Sequence, residues 1–266
     1  MNRGAPGASR TAAFLAALST TRAVYEVLRS RAPGEPARWR RSNYAGRTVE
    51  LYAGPATVLG AAAGAAPSGT RGAVTLAVLA AGACGAYDDL AGAGDPRRGF
   101  RAHLRALRHG EVTTGAVKLL GIGAAALTAG ALLKERPLDR LLAGVVIAGG
   151  AHCVNLLDVR PGRACVGVLA LGVPGLLRGG TAGALAAVPV GAAAAVAGAD
   201  LAERTMLGDA GAHALGAAPG PLVWIMPGSR ALVPRLAALS SVDMAPPFLP
   251  PPPCDPRHQT PLPDPA

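Results

Sequence analysis

The residues best suited to chemistry in this chain stand where its apolar segments end. Asp88 and Asp89 close the run Gly85-Ala86-Tyr87-Asp88-Asp89. Asn155 and Asp158 bracket Asn155-Leu156-Leu157-Asp158, and Asp209 lies between glycines in Met206-Leu207-Gly208-Asp209-Ala210-Gly211. A carboxylate at the edge of a bilayer is costly unless it pairs with a cation or does chemistry. Two adjacent acids repel, so they either attract a divalent cation or raise one pKa. Asn155 and Asp158 are three residues apart and share a face if helical. Brought to one side of a membrane, these groups would form a metal site for phosphate chemistry. Lys118, at the base of another apolar run, would add a point charge for a diphosphate. Each group also has a plainer reading. Asp88-Asp89 suits a turn, Asp158 a helix end breaking into Arg160-Pro161-Gly162, Asp209 a helix N-cap and Lys118 a snorkelling amine.

The elements that must position these groups are set by composition. The chain has 266 residues and a formal net charge of +10; half of it is hydrophobic, but only 3% is aromatic. Its mean hydropathy is +0.32, and low charge density at that value points away from an ordinary soluble domain. Small residues supply much of the apolar content, which suits close packing of transmembrane helices. Crossing a bilayer takes roughly 17–25 residues. Segments 49–66, 71–87, 116–133, 138–157, 164–177, 182–199 and 207–226 are the expected spans, with a weaker one at 11–28 that carries Arg22 and Glu26. Pro174 is expected to tilt or break the 164–177 segment. The predicted fold is therefore all-α, a polytopic membrane bundle of about seven to eight transmembrane helices. Residues 1–48 form an N-terminal segment with a basic loop, 49–226 the membrane domain, and 227–266 a Pro-rich extended tail.

Loop charge sets the orientation. Arg38, Arg40, Arg41 and Arg47 crowd one connection, and Arg97, Arg98, Arg101, Arg105 and Arg108 another. Basic loops stay cytoplasmic. With both inside, counting spans brings Asp88-Asp89, Asp158 and Asp209 all to the cytoplasmic face. Lys134, Arg136 and Arg140 then fall outside. The expected location is the plasma membrane, multi-pass, with the active-site face cytoplasmic.

The ordered set of motifs resembles the polyprenyl-phosphate N-acetylhexosamine-1-phosphate transferases, a multispan family of cell-envelope glycan synthesis. The matching pieces are Asn43-Tyr44-Ala45-Gly46, Ala86-Tyr87-Asp88-Asp89, Lys118-Leu119-Leu120-Gly121, Asn155-Leu156-Leu157-Asp158 and Met206-Leu207-Gly208-Asp209-Ala210-Gly211. The resemblance implies transfer of a sugar-1-phosphate from a UDP-N-acetylhexosamine to a polyprenyl phosphate, with release of UMP and dependence on Mg²⁺ or Mn²⁺. It further implies that Asp88, Asp89 and Asp158 are catalytic and that Asp209 and Asn155 hold the metal. Lys118, Asn43 and Arg163 would bind substrate. The implied partners are the lipid phosphate, the UDP-sugar and the membrane, and a homodimer is compatible with all of them. Arg160-Pro161-Gly162-Arg163-Ala164 marks a variant branch, because Pro161 stands where the family usually has an acid.

Several classes are disfavoured. Nucleic-acid binding is a poor account of the charge, since no soluble basic domain carries it and aromatic platforms are scarce. No phosphate-binding P-loop or nucleophile-elbow motif competes. Cys84, Cys153, Cys165 and Cys254 lack zinc-like spacing. Two rivals remain. A catalytically degenerate relative would serve as a membrane scaffold or lipid-carrier binding protein, and a small-solute transporter would need polar groups nearer mid-membrane.

Overall fold

The computed structural model describes residues 9–218 except 69, 71, 93–96, 98 and 99. The expected tail at 227–266 and the distal part of the 207–226 segment lie outside the described residues. Among the described residues the chain is all-α apart from one small hairpin. The helices are α1 (Arg10–Arg31), α2 (Ala53–Ala65), α3 (Ala73–Ala91), α4 (Phe100–Arg108), α5 (Thr114–Leu133), α6 (Pro137–Leu157), α7 (Arg163–Gly172), α8 (Gly180–Leu201) and α9 (Gly208–Ala217). Ala and Leu, both strong helix formers, fill most of them. Local signals set several ends. Thr113 caps α5 by accepting the Ala116 N–H at 3.1 Å, and Pro137 occupies the first turn of α6.

Among the described residues four helices, α3, α5, α6 and α8, are long and apolar enough to cross a membrane. The other expected spans differ. α2 has 13 residues and α7 has 10, too few for the ~20 that a bilayer core needs; α9, of 10 residues, is the described part of the 207–226 segment. α7 gives way to the 3-10 turn Val173–Leu177 around Pro174, because proline cannot supply the next helical N–H. α1 has the length but not the hydropathy; Arg22 and Glu26 pair on its surface at 2.6 Å. The basic stretch expected as a loop contains α4, an amphipathic helix bearing Arg101, Arg105 and Arg108.

The helices α2, α8 and α9 form the interior, and α3, α5 and α6 the wall. Every residue of α9 but Asp209 is buried, and α9 packs against α2, α3 and α6. α1 lies across α2 and α8 through Ala13 and Ala17, both fully buried. On the outer faces of α5 and α6, Leu120, Leu127, Leu132 and Leu141 are exposed. Apolar faces of this extent mark contact with a membrane or a partner. Together with the four span-length helices they make this a membrane protein.

The hairpin was not anticipated. β1 (Arg40–Ser42) pairs antiparallel with β2 (Thr48–Glu50), and Glu50 bridges to Thr205 just ahead of α9. The Met206 N–H donates to Glu50 O at 2.9 Å and the Thr205 hydroxyl at 2.7 Å. The hairpin thereby fixes the approach of the chain to α9.

Candidate functional site

The site is organised by the N-terminus of α9. Gly85 allows α3 to lie against it, since a Cβ on Gly85 would stand 2.3 Å from Asp209 O. One turn later Asp89 reaches the first turn of α9. Its Oδ1 accepts the Asp209 N–H and its Oδ2 the Ala210 N–H, each at 3.0 Å. Those amides lack intrahelical partners and carry the positive end of the helix dipole, so a carboxylate is favoured there. Gly208 makes the turn at φ +60, and a Cβ there would be 2.9 Å from Asp89 Oδ2.

Opposite Asp89 stands Lys118, one turn into α5. Its ammonium donates to Asp88 Oδ2 at 2.5 Å and also to Asp209 Oδ2. The three side chains are 16%, 18% and 24% exposed, so the cluster is shielded yet reachable from the end of the bundle. Two carboxylates at such range stay ionised together only with positive charge between them. Lys118 supplies positive charge here, while burial and the hydrogen bond to Asp88 still push the Asp209 carboxyl up to about 7.

Behind this cluster is His213, one turn along α9 and fully buried. A carbonyl can only accept, so His213 Nδ1–H donates to Asp209 O at 2.7 Å and Nε2 keeps its lone pair. Among the described residues that Nε2 has no hydrogen-bond partner. The ring meets His152 of α6 edge to face, centroids 5.3 Å apart.

A cavity of ≈ 280 Å³ adjoins the cluster, lined by Asn43, Tyr44, Asp158, Arg160, Asp200 and Thr205 among others. The Arg160 guanidinium lies 5.0 Å from the Tyr44 ring centroid, a cation–π distance. Asp200 is buried and accepts the Gly162 N–H at 3.2 Å. Burial pushes the Asp158 carboxyl well above the usual carboxylate range, and the charges of Asp200, Asp209 and Asp89 push the same way. A folded-state pKa above the unfolded one gives stability that is present below the unfolded pKa and lost as pH rises through the folded value. Asp158→Asn should therefore flatten the pH dependence. Its melting temperature in detergent should exceed wild type at pH 8 and match it near pH 4; an equal difference at both would show Asp158 ionised throughout.

The expected residues divide into three groups. Asp88, Asp89, Asp209 and Lys118 come together. Asp158 stands at the end of α6 close to the Gly208 amide and shares the adjoining cavity with Asn43. Asn43 itself is occupied: its Oδ1 accepts the Ala45 and Arg47 N–H groups at 3.0 and 2.9 Å, and its Nδ2 donates to Glu203 at 2.7 Å. Asn155 is half-buried on α6 and makes no hydrogen bond to Asp209, while Arg163 is exposed at the start of α7. Two residues escaped sequence reasoning. Arg41 donates to Asp89 O from β1, a contact that no local pattern encodes. His213 belongs to no motif, although its i+4 spacing from Asp209 puts both on one helical face.

Fold and site together define an all-α membrane protein with an acidic cluster and one lysine at one end of its bundle. No protein-family profile matches the chain, and no curated protein matches it.

Proposed function

We propose that this protein is a membrane-embedded transferase that moves a sugar-1-phosphate from a UDP-N-acetylhexosamine to a polyprenyl phosphate, releasing UMP. The observation that carries this reading is the convergence of Asp88, Asp89, Asp209 and Lys118, drawn from three segments distant in sequence. The reaction needs charge neutralisation and alignment of two phosphates, which such a cluster supplies. In it an oxygen of the lipid phosphate attacks the sugar-bearing phosphorus of the donor. A new phosphoanhydride bond forms, the bond to UMP breaks, and UMP leaves with the bridging oxygen. Asp88 takes the proton of the lipid phosphate, and Asp89 holds Asp209 in place through the α9 amides. Lys118 turns from the two carboxylates toward the diphosphate.

The donor set fits Mg²⁺. Mg²⁺ is commonly held by one or two carboxylates together with waters and substrate phosphates, and Asp88 and Asp209 already converge on one cation, the Lys118 ammonium. Among the described residues no group of three or more His, Cys, Asp or Glu is arranged to hold an ion, so substrate oxygens would complete the shell. Asp209 and Asp88 would hold the ion, whose charge would neutralise the diphosphate, and Asn155, expected as a further donor, is not among the side chains that meet Lys118.

The cytoplasmic assignment rests on the basic side chains at the site end, including Arg38, Arg40, Arg41 and Arg47 around the hairpin and those of α4. A plasma-membrane location and a role in envelope glycan synthesis follow from the same reading.

The test is UMP release. Membranes containing the protein, a UDP-N-acetylhexosamine and a polyprenyl phosphate should form UMP with Mg²⁺ and stop on chelation. Asp89→Asn should lower the rate by about 10²-fold, the scale of losing one preorganised electrostatic group. Unchanged turnover would remove the assignment. A second reading is favoured by one contact, since Lys118 pairs with both Asp88 and Asp209. It is a non-catalytic scaffold or lipid-carrier binding protein. It would bind polyprenyl phosphate, form no UMP, and be indifferent to acid-to-amide changes.

A further inference from the structure

A second concavity shares Arg41 with the surroundings of Asp89, but none of the acidic side chains of the cluster lines it. It is a groove of ≈ 690 Å³ between the segment leading into β1 and the last turn of α3, lined by Pro33, Glu35, Arg38, Trp39, Arg41 and Leu90 among others. We propose that it binds the phosphate head of an anionic membrane phospholipid, independently of any transferase activity.

The depth of the groove argues for a lipid. α3 is one of the helices able to cross the membrane, and it ends at Ala91, so its last turn marks where the apolar layer gives way to headgroups. Leu90 is 45% exposed there and offers an apolar edge to an acyl chain. Tryptophan is favoured at this level because its ring is apolar and its N–H polar. Trp39 is held as a fixed wall: its Nε1–H donates to Pro33 O at 2.9 Å, and its ring packs on Tyr52 with centroids 5.5 Å apart.

The charge argues for a phosphate. Arg38 and Arg41 both face the groove. Arg41 is anchored, donating to Arg40 O at 2.7 Å and to Asp89 O. Arg38 is exposed, and its sole ion-pair partner among the described residues is Glu35 at 3.4 Å. Surface pairs of this kind are weak, so a phosphate can take the guanidinium from Glu35 with a bidentate contact. Glu35 is thus a built-in competitor for the same cation.

The experiment uses the full chain in nanodiscs with Trp224→Phe, which leaves Trp39 as the single tryptophan of the original two. Brominated phosphatidylglycerol should quench Trp39 at lower mole fraction than brominated phosphatidylcholine. Arg38→Gln should weaken that preference about fivefold, the effect of one arginine near an anionic lipid. Glu35→Gln should strengthen it, a direction that loss of structure cannot produce. Equal quenching by the two lipids, or no response to either substitution, overturns the proposal. Abolition of the preference by millimolar inorganic phosphate would make free phosphate the ligand and overturn it too. Asp209→Asn should leave the lipid preference intact, so failure of the transferase reading and failure of this one are separately visible.

Discussion

Asp209→Asn should abolish UMP release while leaving the fold in place. The amide nearly matches the carboxylate in size, so α9, buried along its length, keeps its packing. The backbone contacts of residue 209 are also untouched: its N–H still donates to Asp89 and its C=O still accepts from His213. What changes is charge. Lys118 loses one of its two carboxylate partners and stays paired with Asp88, and the proposed ion loses its principal anionic donor. Removing one preorganised electrostatic group costs about 10²–10³-fold in rate, and losing the metal as well should take turnover below detection. Helical content and melting temperature in detergent serve as controls. A variant that retains more than about a tenth of wild-type turnover would exclude Asp209 from the chemistry, given that scale. A wild-type protein that binds polyprenyl phosphate but forms no UMP would favour the scaffold reading.

Gly85→Val should have the largest effect on the fold. An added Cβ would lie 2.3 Å from Asp209 O, 2.5 Å from Asp209 C and 2.7 Å from Ala210 N. All three are backbone atoms at the start of a helix that cannot retreat, because α2 and α6 pack on its other sides. Overpacking of this kind costs about 1–3 kcal/mol and sometimes more. Displacement of α9 would also pull its amides off Asp89 and uncap its N-terminus. The melting temperature should fall by several degrees, and activity should fall with it. Gly85→Ala, with the same Cβ and nothing beyond, should show a milder form of both losses. If Gly85→Val melts with wild type, α3 and α9 do not meet as described.

The acids at one end of the bundle were legible in the sequence because span length and loop charge together fix which side each helix end reaches. Counting crossings from the basic segment before α2 puts Asp88, Asp158 and Asp209 on one side only if the segments of α2 and α7 are counted as crossings, and the three acids do share one end of the bundle. The interior was harder to read. Segments rich in Ala and Gly look alike whether they face lipid or protein, so α2 and α7 passed for spans, although each is too short to cross. Arg41 was legible only as charge. Its contact with Asp89 joins residues 48 positions apart, and the hairpin that carries it has strands of only three residues.

From its sequence alone, this protein was determined to be helical, membrane-associated and acidic at the ends of several helices. Those properties follow from composition, run length and the sign of neighbouring charges, all of them local. Only the tertiary structure decided that Lys118 sits between Asp88 and Asp209, that both oxygens of Asp89 are taken by α9, and that His213 backs Asp209. Partners of this kind depend on how each helix is rotated and how closely two backbones approach. Glycines such as Gly85 permit that approach, but nothing in the spacing of residues along one segment says which segment will meet it.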